Sequence, residues 1–316
     1  MRKRKFSVAV FLCAALLPAI AQAANLKVNC SHRSEDTLPT VTAALARLSP
    51  TGPNTVTVSG ACHENVTIQS LDRLTLIASS GASITDASGG TADVVLINDS
   101  QRITMQGFTV NGGSPGVRCV SHSLCRFSGN TIQNSAGDGV VVSRSHAEFN
   151  GDIIQNNSTG RGLVVVQAGE ALTLQVTIRG NGADGSAAVR VADGSFLFAA
   201  LTTVQSNGGT GIRLTDRSTM RSEDSTITGN GGAGVSLEGG SEGRFLVDVT
   251  GNVITGNGGH GVRIADLSFA NFESPGNNIS GNTTQPDVIC TPQFSAERGA
   301  LPSSNIGGGT TNCVEP

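Results

Sequence analysis

From residue 127 onward one short unit recurs: an apolar strand, a Gly/Asn turn, then Gly-Val-x-Val. It reads Asn130-Thr-Ile-Gln-Asn134, Asp152-Ile-Ile-Gln-Asn156, Val176-Thr-Ile-Arg-Gly-Asn181, Thr202-Thr-Val-Gln-Ser-Asn207, Ser225-Thr-Ile-Thr-Gly-Asn230, Asn252-Val-Ile-Thr-Gly-Asn257 and Asn277-Asn-Ile-Ser-Gly-Asn282. The central apolar residues, Ile132, Ile154, Ile178, Val204, Ile227, Ile254 and Ile279, step by 22, 24, 26, 23, 27 and 25 residues. A second strand follows at Gly139-Val140, Gly162-Leu163, Gly211-Ile212, Gly234-Val235 and Gly261-Val262. A third is marked by Phe149, Leu172/Leu174, Phe196/Phe198, Phe245/Val247 and Phe269.

Apolar residues two apart place one strand face inward and the other outward. Three short strands per unit, separated by Gly/Asn turns, are too short and too close for βαβ crossovers. They make one coil of a parallel β-helix, and each coil stacks on the next about 4.8 Å away. The expected fold is therefore all-β: a single-domain, three-stranded solenoid. A β-sandwich would not carry so constant a period. Earlier coils are legible at Val56/Val58, Val66/Ile68, Leu74/Leu76, Ile84, Val94 to Ile97, Ile103/Met105 and Phe108/Val110. Residues 55–290 make about ten coils, a rod about 50 Å long. The turn asparagines suit either a left-handed backbone or a stacked amide ladder.

Both ends of such a rod need caps. Residues 24–54 are expected to form the N-terminal cap, with Leu38, Val41, Leu45 and Leu48 on one face of a short helix from Pro39 to Leu48. Residues 291–316 are expected to form the C-terminal cap. Residues 1–23 read as a signal peptide: basic Arg2 to Lys5, apolar Phe6 to Ile20, then Ala21-Gln22-Ala23. Export to periplasm or exterior is the expectation. No later segment is apolar and long enough to span a bilayer.

Removing those four cations leaves 17 Lys and Arg against 24 Asp and Glu, which gives no field to attract nucleic acid. Six cysteines remain, and an even count in an exported chain argues for disulfides. Spacing suggests Cys30–Cys62, Cys119–Cys125 and Cys290–Cys313, although sequence alone leaves the connectivity open. No C-x-x-C or His-rich cluster supports a structural metal.

The helix, the strand Asn54 to Ser59 and the segment Gly60-Ala-Cys-His-Glu-Asn-Val-Thr-Ile68 together resemble the opening of pectin-lyase-like proteins. Cys62 stands where that family has a tyrosine. The later repeats resemble those of NosD-like proteins. The likeness covers about 250 residues and implies a right-handed β-helix. It does not imply one function, because this fold hosts lyases, hydrolases, esterases, epimerases and adhesins. In polygalacturonase-like members, acids precede the glycine of the second strand. Here that column reads Asp138, Arg161, Asp184, Thr210, Ala233 and His260. Gly259-His-Gly-Val-Arg263 resembles a fragment of that family's motifs, but no Asp-Asp pair accompanies it.

The candidate catalytic residues are Asp138 and Asp184 as an acid/base pair two coils apart, with Arg161 between them to hold a carboxylate. The bland alternative is an Asp-Gly turn and a structural ion pair. Arg190, Arg213 and Arg263 share an outward column, broken by Ser236, and with His260 they are the candidate ligand-binding residues. Asp193, Asp216 and Asp266 are their expected partners. No cofactor is expected, and calcium only if the chain is a lyase. The sequence contains no Trp and no Tyr, and Phe spacing suits the core. That lowers the weight of a sugar-cleaving reading. The preferred reading is a non-catalytic surface for a polysaccharide or cell-envelope partner. A polysaccharide lyase or glycoside hydrolase is the alternative, and a structural protein or adhesin the third.

Overall fold

The computed structural model describes residues 23–291 and 303–313, apart from residues 33, 80, 158 and 274. The expected signal peptide, but for its last residue, and much of the expected C-terminal tail lie outside the described residues.

The chain winds as a right-handed parallel β-helix of about ten turns. Each coil contributes one strand to each of three all-parallel sheets. The Thr-Ile sheet has ten strands, from Ala61–His63 to Asn278–Ser280. The Gly-Val sheet has ten, from Val66–Gln69 to Val288–Cys290. The third has eleven, from Ala24–Asn29 to Phe269–Phe272. The repeat column Ile132, Ile154, Ile178, Val204, Ile227, Ile254 and Ile279 is buried throughout, as periodicity demands.

What joins coil to coil at the corners is a side-chain bond to backbone. Between the Thr-Ile and Gly-Val sheets, the amide nitrogens of Asn157, Asn181, Asn207, Asn230 and Asn257 each donate to Oδ1 of the next asparagine, at 2.8–3.1 Å. The same Oδ1 accepts that residue's backbone N–H. The ladder ends when Asn282 donates to the Asp287 carboxylate, which has no proton to pass on. Both readings of the turn asparagines are realised, one residue apart. The left-handed position is Asn134, Asn156, Gly180, Ser206, Gly229, Gly256 and Gly281, and the ladder position follows it.

Serines do the same work between the Gly-Val and eleven-stranded sheets: Ser100 N–H donates to Ser123, Ser123 to Ser145, Ser195 to Ser218, and Ser241 to Ser268. The third corner is mixed, running from Asn130 to Asp152, then Thr202, Ser225, Asn252 and Asn277. The glycine opening the Gly-Val strand answers to the ladder as well. A Cβ on Gly234 would lie 2.5 Å from Ile254, 2.6 Å from the Gly261 carbonyl and 2.9 Å from the Asn257 amide. Its need is close approach rather than a special φ.

At the N-terminal end the helix is Val41–Leu45, shorter than the sequence pattern suggested. Thr40 is extended and caps it through Oγ1 to Ala43 N–H, which leaves Pro39 outside. The Glu64 carboxylate receives Val41 and Thr42 N–H from the neighbouring coil, favouring the helix start. Val41 and Ala44 are buried, while Leu38, Leu45 and Leu48 pack partly against the core. Cys30–Cys62, Cys119–Cys125 and Cys290–Cys313 are bonded, in the expected connectivity.

One expectation fails here. Phe108, Phe127, Phe149, Phe245 and Phe272 are core, but Phe196, Phe198 and Phe269 point outward, as do Leu172 and Leu174. Leu197 and Ala199 take the inward positions of that strand. Segments apolar at every position carry no parity, so the outward set is decided by neighbouring coils.

Two tests follow from the corners. Asn230→Ala removes the acceptor of Asn207's backbone and side-chain N–H groups. Each orphaned donor costs about 1–3 kcal/mol, so chemical denaturation should show roughly 3 kcal/mol lost. Asp152 is fully buried, and burial lifts its carboxyl from an ordinary 3.8 to about 6 despite bonds from Asn130 and Asn150 N–H. A raised folded value means stability is fullest below about pH 4 and falls as pH rises through about 6, by about 3 kcal/mol. Asp152→Asn lacks that slope. The melting temperature of wild type minus variant should therefore drop between pH 4 and pH 7, and a constant difference would refute the assignment.

Candidate functional site

The outer face of the Gly-Val sheet carries the candidate residues. Its central outward column, read by register, runs Leu96, Arg118, Val141, Val164, Arg190, Arg213, Ser236 and Arg263. Strand alternation aims these side chains away from the core. A groove of about 610 Å³ lies over this column, with Val141 and Val164 in its floor, and Arg118 and Arg190 at its two ends. The valines are only 9% and 5% exposed, so the floor is apolar and closely covered. A second hollow of about 510 Å³ continues over Arg161, Arg190 and Arg213.

Asp138, Arg161 and Asp184 all line the first groove. Asp138 Oδ1 accepts the backbone N–H of Arg161 at 2.8 Å and lies 3.6 Å from Arg161 Nη1. Asp184, however, is not in the column assigned to it. Strand register aligns Val189 with Leu163 and Ile212, so the position preceding the strand opener is Ala187, which is buried. Asp184 stands three residues earlier in an inserted turn around Gly182 and Gly185, where Oδ1 accepts Ser186 N–H at 2.9 Å. Hydrogen bonds from Ser186, with the nearby Arg161 charge, hold its carboxyl below the usual range.

Arg190, Arg213 and Arg263 do share one outward column with Ser236 between the last two. Their expected partners are corrected. Arg213 and Arg263 both bond Glu238, at 2.6 and 2.8 Å. Burial would raise the Glu238 carboxyl, but Arg213, Ser236 and Arg263 outweigh it and hold it low. Asp193, Asp216 and Asp266 instead occupy left-handed turn positions, with φ of 59°, 58° and 53°. Among the described residues Arg190 has no ion-pair or side-chain hydrogen-bond partner. His260 donates from Nδ1 to the Pro286 carbonyl at 2.7 Å. It sits five coils from Asp138, about 24 Å at the coil spacing.

Sequence reasoning missed the far end of the groove. Arg118 Nε meets both oxygens of Asp93 at 3.0 Å. Burial raises the Asp93 carboxyl, and Arg118 only partly offsets that. The signal was present: Val117-Arg-Cys119 repeats the pattern of Val189-Arg-Val191. The one group of three potential metal ligands within mutual reach, among the described residues, is Cys30, Cys62 and Glu64. The two cysteines are joined to each other and Glu64 caps the helix, so no free thiolate remains to bind a metal. No helix among the described residues is long and apolar enough to cross a membrane.

Known structures share this architecture. The crystal structure of pectate lyase Pel9A aligns with a TM-score of 0.55 at 11% identity, covering 85% of this chain and 74% of that one. The A-module of the Azotobacter vinelandii mannuronan C-5 epimerase AlgE6 aligns with a TM-score of 0.52 at 15% identity, covering 88% and 84%. At such identities the likeness is one of fold. No curated protein matches the sequence. The family model described as "Right handed beta helix region" matches residues 93–247 and 202–293. These overlapping spans take in more than half of the chain and most of the groove's floor, so the chain belongs to the right-handed β-helix family.

Proposed function

We propose that this is an exported protein whose arginine-lined groove presents a rigid surface to an anionic polysaccharide or cell-envelope partner, and that it binds without turning the partner over. One observation carries the reading: Arg190, without an ion-pair or side-chain hydrogen-bond partner among the described residues, closes one end of a polar groove whose other end is Arg118. A polar groove with arginines along it suits a sugar chain held by its carboxylates. Arg118 and Arg190 stand three coils apart, about 14 Å, a span that several sugar units would fill. The fold likeness to a pectate lyase and a mannuronan epimerase fits a partner of this class. The three disulfides fit an exported protein. On this reading residues 24–54 and 291–316 serve only to close the rod.

The acids support binding over turnover. Hydrogen bonds from Ser186 and the Arg161 charge keep the Asp184 carboxyl low, which does not suit it to donate a proton near neutral pH, and Asp138 is engaged by the Arg161 backbone N–H. The second reading, a lyase or hydrolase, draws on the fact that Asp138, Arg161 and Asp184 line one groove.

The test uses the chain from Ala24 with pectic, alginate and other anionic polysaccharides, with and without calcium. Binding is expected at low salt. Arg190→Ala should weaken it about tenfold, or about 1.4 kcal/mol, with unchanged melting and no new reducing ends or unsaturated uronates. Product that disappears in Asp138→Ala would replace this reading with the enzyme one, and binding insensitive to Arg190→Ala would remove the groove from it.

A further inference from the structure

The two hollows on the Gly-Val face carry different charge. The first is balanced: Arg118, Arg161 and Arg190 line it against Asp138, Asp184 and Asp193. The second, of about 510 Å³, is lined by Arg161, Arg190 and Arg213, with Asp216 as the one acid among its described lining residues. Asp216 accepts the Thr215 hydroxyl at 2.7 Å. Acids behind the rim offset the three cations only in part. Asp138 lies 3.6 Å from Arg161, and Glu238 divides its two oxygens between Arg213 and Arg263.

The three guanidinium groups come from three successive coils. Strand register sets Val164, Arg190 and Arg213 side by side, and Arg161 stands three residues before Val164. Arg190 and Arg213 are therefore directly opposed, about 4.8 Å apart at the backbone. Like charges so placed repel. The column sets no acid between them, and an anion from outside relieves the repulsion. The inserted turn supplies a wall to the same hollow through Gly185 and Ser186.

The donors left open decide which anion. Among the described residues the guanidinium groups of Arg161 and Arg190 and the hydroxyl of Thr210 donate no hydrogen bond, and Arg213 uses only Nη2, toward Glu238. A carboxylate presents two oxygens and suits one planar guanidinium fork. A sulfate or phosphate ester is tetrahedral. Its three terminal oxygens point in three directions and suit forks that arrive from three coils.

We propose that the second hollow holds a tetrahedral oxyanion ester, a sulfate or phosphate group borne on the sugar chain. Arg161, Arg190 and Arg213 each face one of its oxygens, and Thr210 donates a further bond. This assignment rests on the reading of the groove as a polysaccharide surface, and it narrows that reading. The chain's carboxylates lie along the balanced first groove, and its ester group sits where cations outnumber acids.

The test compares three derivatives of one neutral polymer, matched in charge density: dextran sulfate, dextran phosphate and carboxymethyl dextran. Calorimetric titration of the chain from Ala24 reads each affinity. Dextran sulfate or dextran phosphate should bind about tenfold tighter than carboxymethyl dextran, the effect of one further hydrogen bond to a charged group. The tighter of the two names the ester. Arg213 and Thr210 line only the second hollow, so Arg213→Gln and Thr210→Val should each abolish the preference. Arg118 lines only the first, so Arg118→Ala should weaken all three and keep the preference. Equal binding of the three, or tightest binding of carboxymethyl dextran, with each weakened by Arg190→Ala, would overturn this proposal and leave the polysaccharide reading standing. A preference that survives both Arg213→Gln and Thr210→Val would also sink it. A chain that binds none of the three would remove both.

Discussion

The structure depends on one small interaction that recurs at all three corners: a backbone N–H donating to the side-chain oxygen of the equivalent residue one coil on. Strand hydrogen bonds hold the flat faces of a solenoid, and backbone bonds between coils continue through much of each turn, as from Ser206 N–H to Thr228, but the ladder residue's own N–H finds no backbone carbonyl. There the N–H groups point along the rod into a space that excludes water. An unmade bond at each corner of each coil would cost more than a domain's whole stability margin. Asparagine at the first corner, serine at the second and a mixture at the third remove that cost. Their short side chains reach one coil and no further, which keeps the spacing uniform and the register fixed. Gly139, Gly162, Gly211, Gly234 and Gly261 belong to the same device, since a Cβ there would come within 2.5–3.0 Å of the ladder amide.

How far this was legible depended on whether a feature repeats. The Ile column and the strand pairs were readable because their neighbours one period away carry the same residue type. Spacing suggested the three disulfides but left their connectivity open, and the structure supplies it. Asp184 was misplaced because the turn at residues 182–186 inserts residues just before the strand, and a constant offset counted from Ile178 falls three residues short. Glu238 was missed as the partner of Arg213 and Arg263 because it belongs to the intervening coil, where Ser236 breaks the column. The outward phenylalanines were unreadable for a different reason. Phe196-Leu-Phe-Ala-Ala200 is apolar on both faces, so alternation assigns no side to either set. The groove's charges and the outward apolar residues both sit where the repeat is broken.

The two outer faces divide the rod's chemistry. The Gly-Val face pairs arginines with acids at its flanks and, among the described residues, leaves Arg190 without an ion-pair partner, beside two covered valines. The eleven-stranded face gathers leucine and phenylalanine at its centre and the ion pairs Arg126–Glu148 and Arg244–Glu242 at its ends. Neither arrangement is required by the core, whose inward positions are already filled. Outward positions of a solenoid contribute little to stability, so their residues are free to answer to other demands.

The asparagine ladder is also an arrow. Every amide donates in the same direction, from Asn157 toward Asn282, and the last acceptor is the Asp287 carboxylate, whose own charge is held by Asn282 and Thr310 N–H groups. Any segment that begins and ends on a ladder asparagine is interchangeable with its neighbours, since Asn181 would find the same acceptor in Asn230 as it does in Asn207. Inheritance can therefore lengthen or shorten this protein by whole coils through duplication or loss within the ladder, while the carboxylate at its end acts as a full stop.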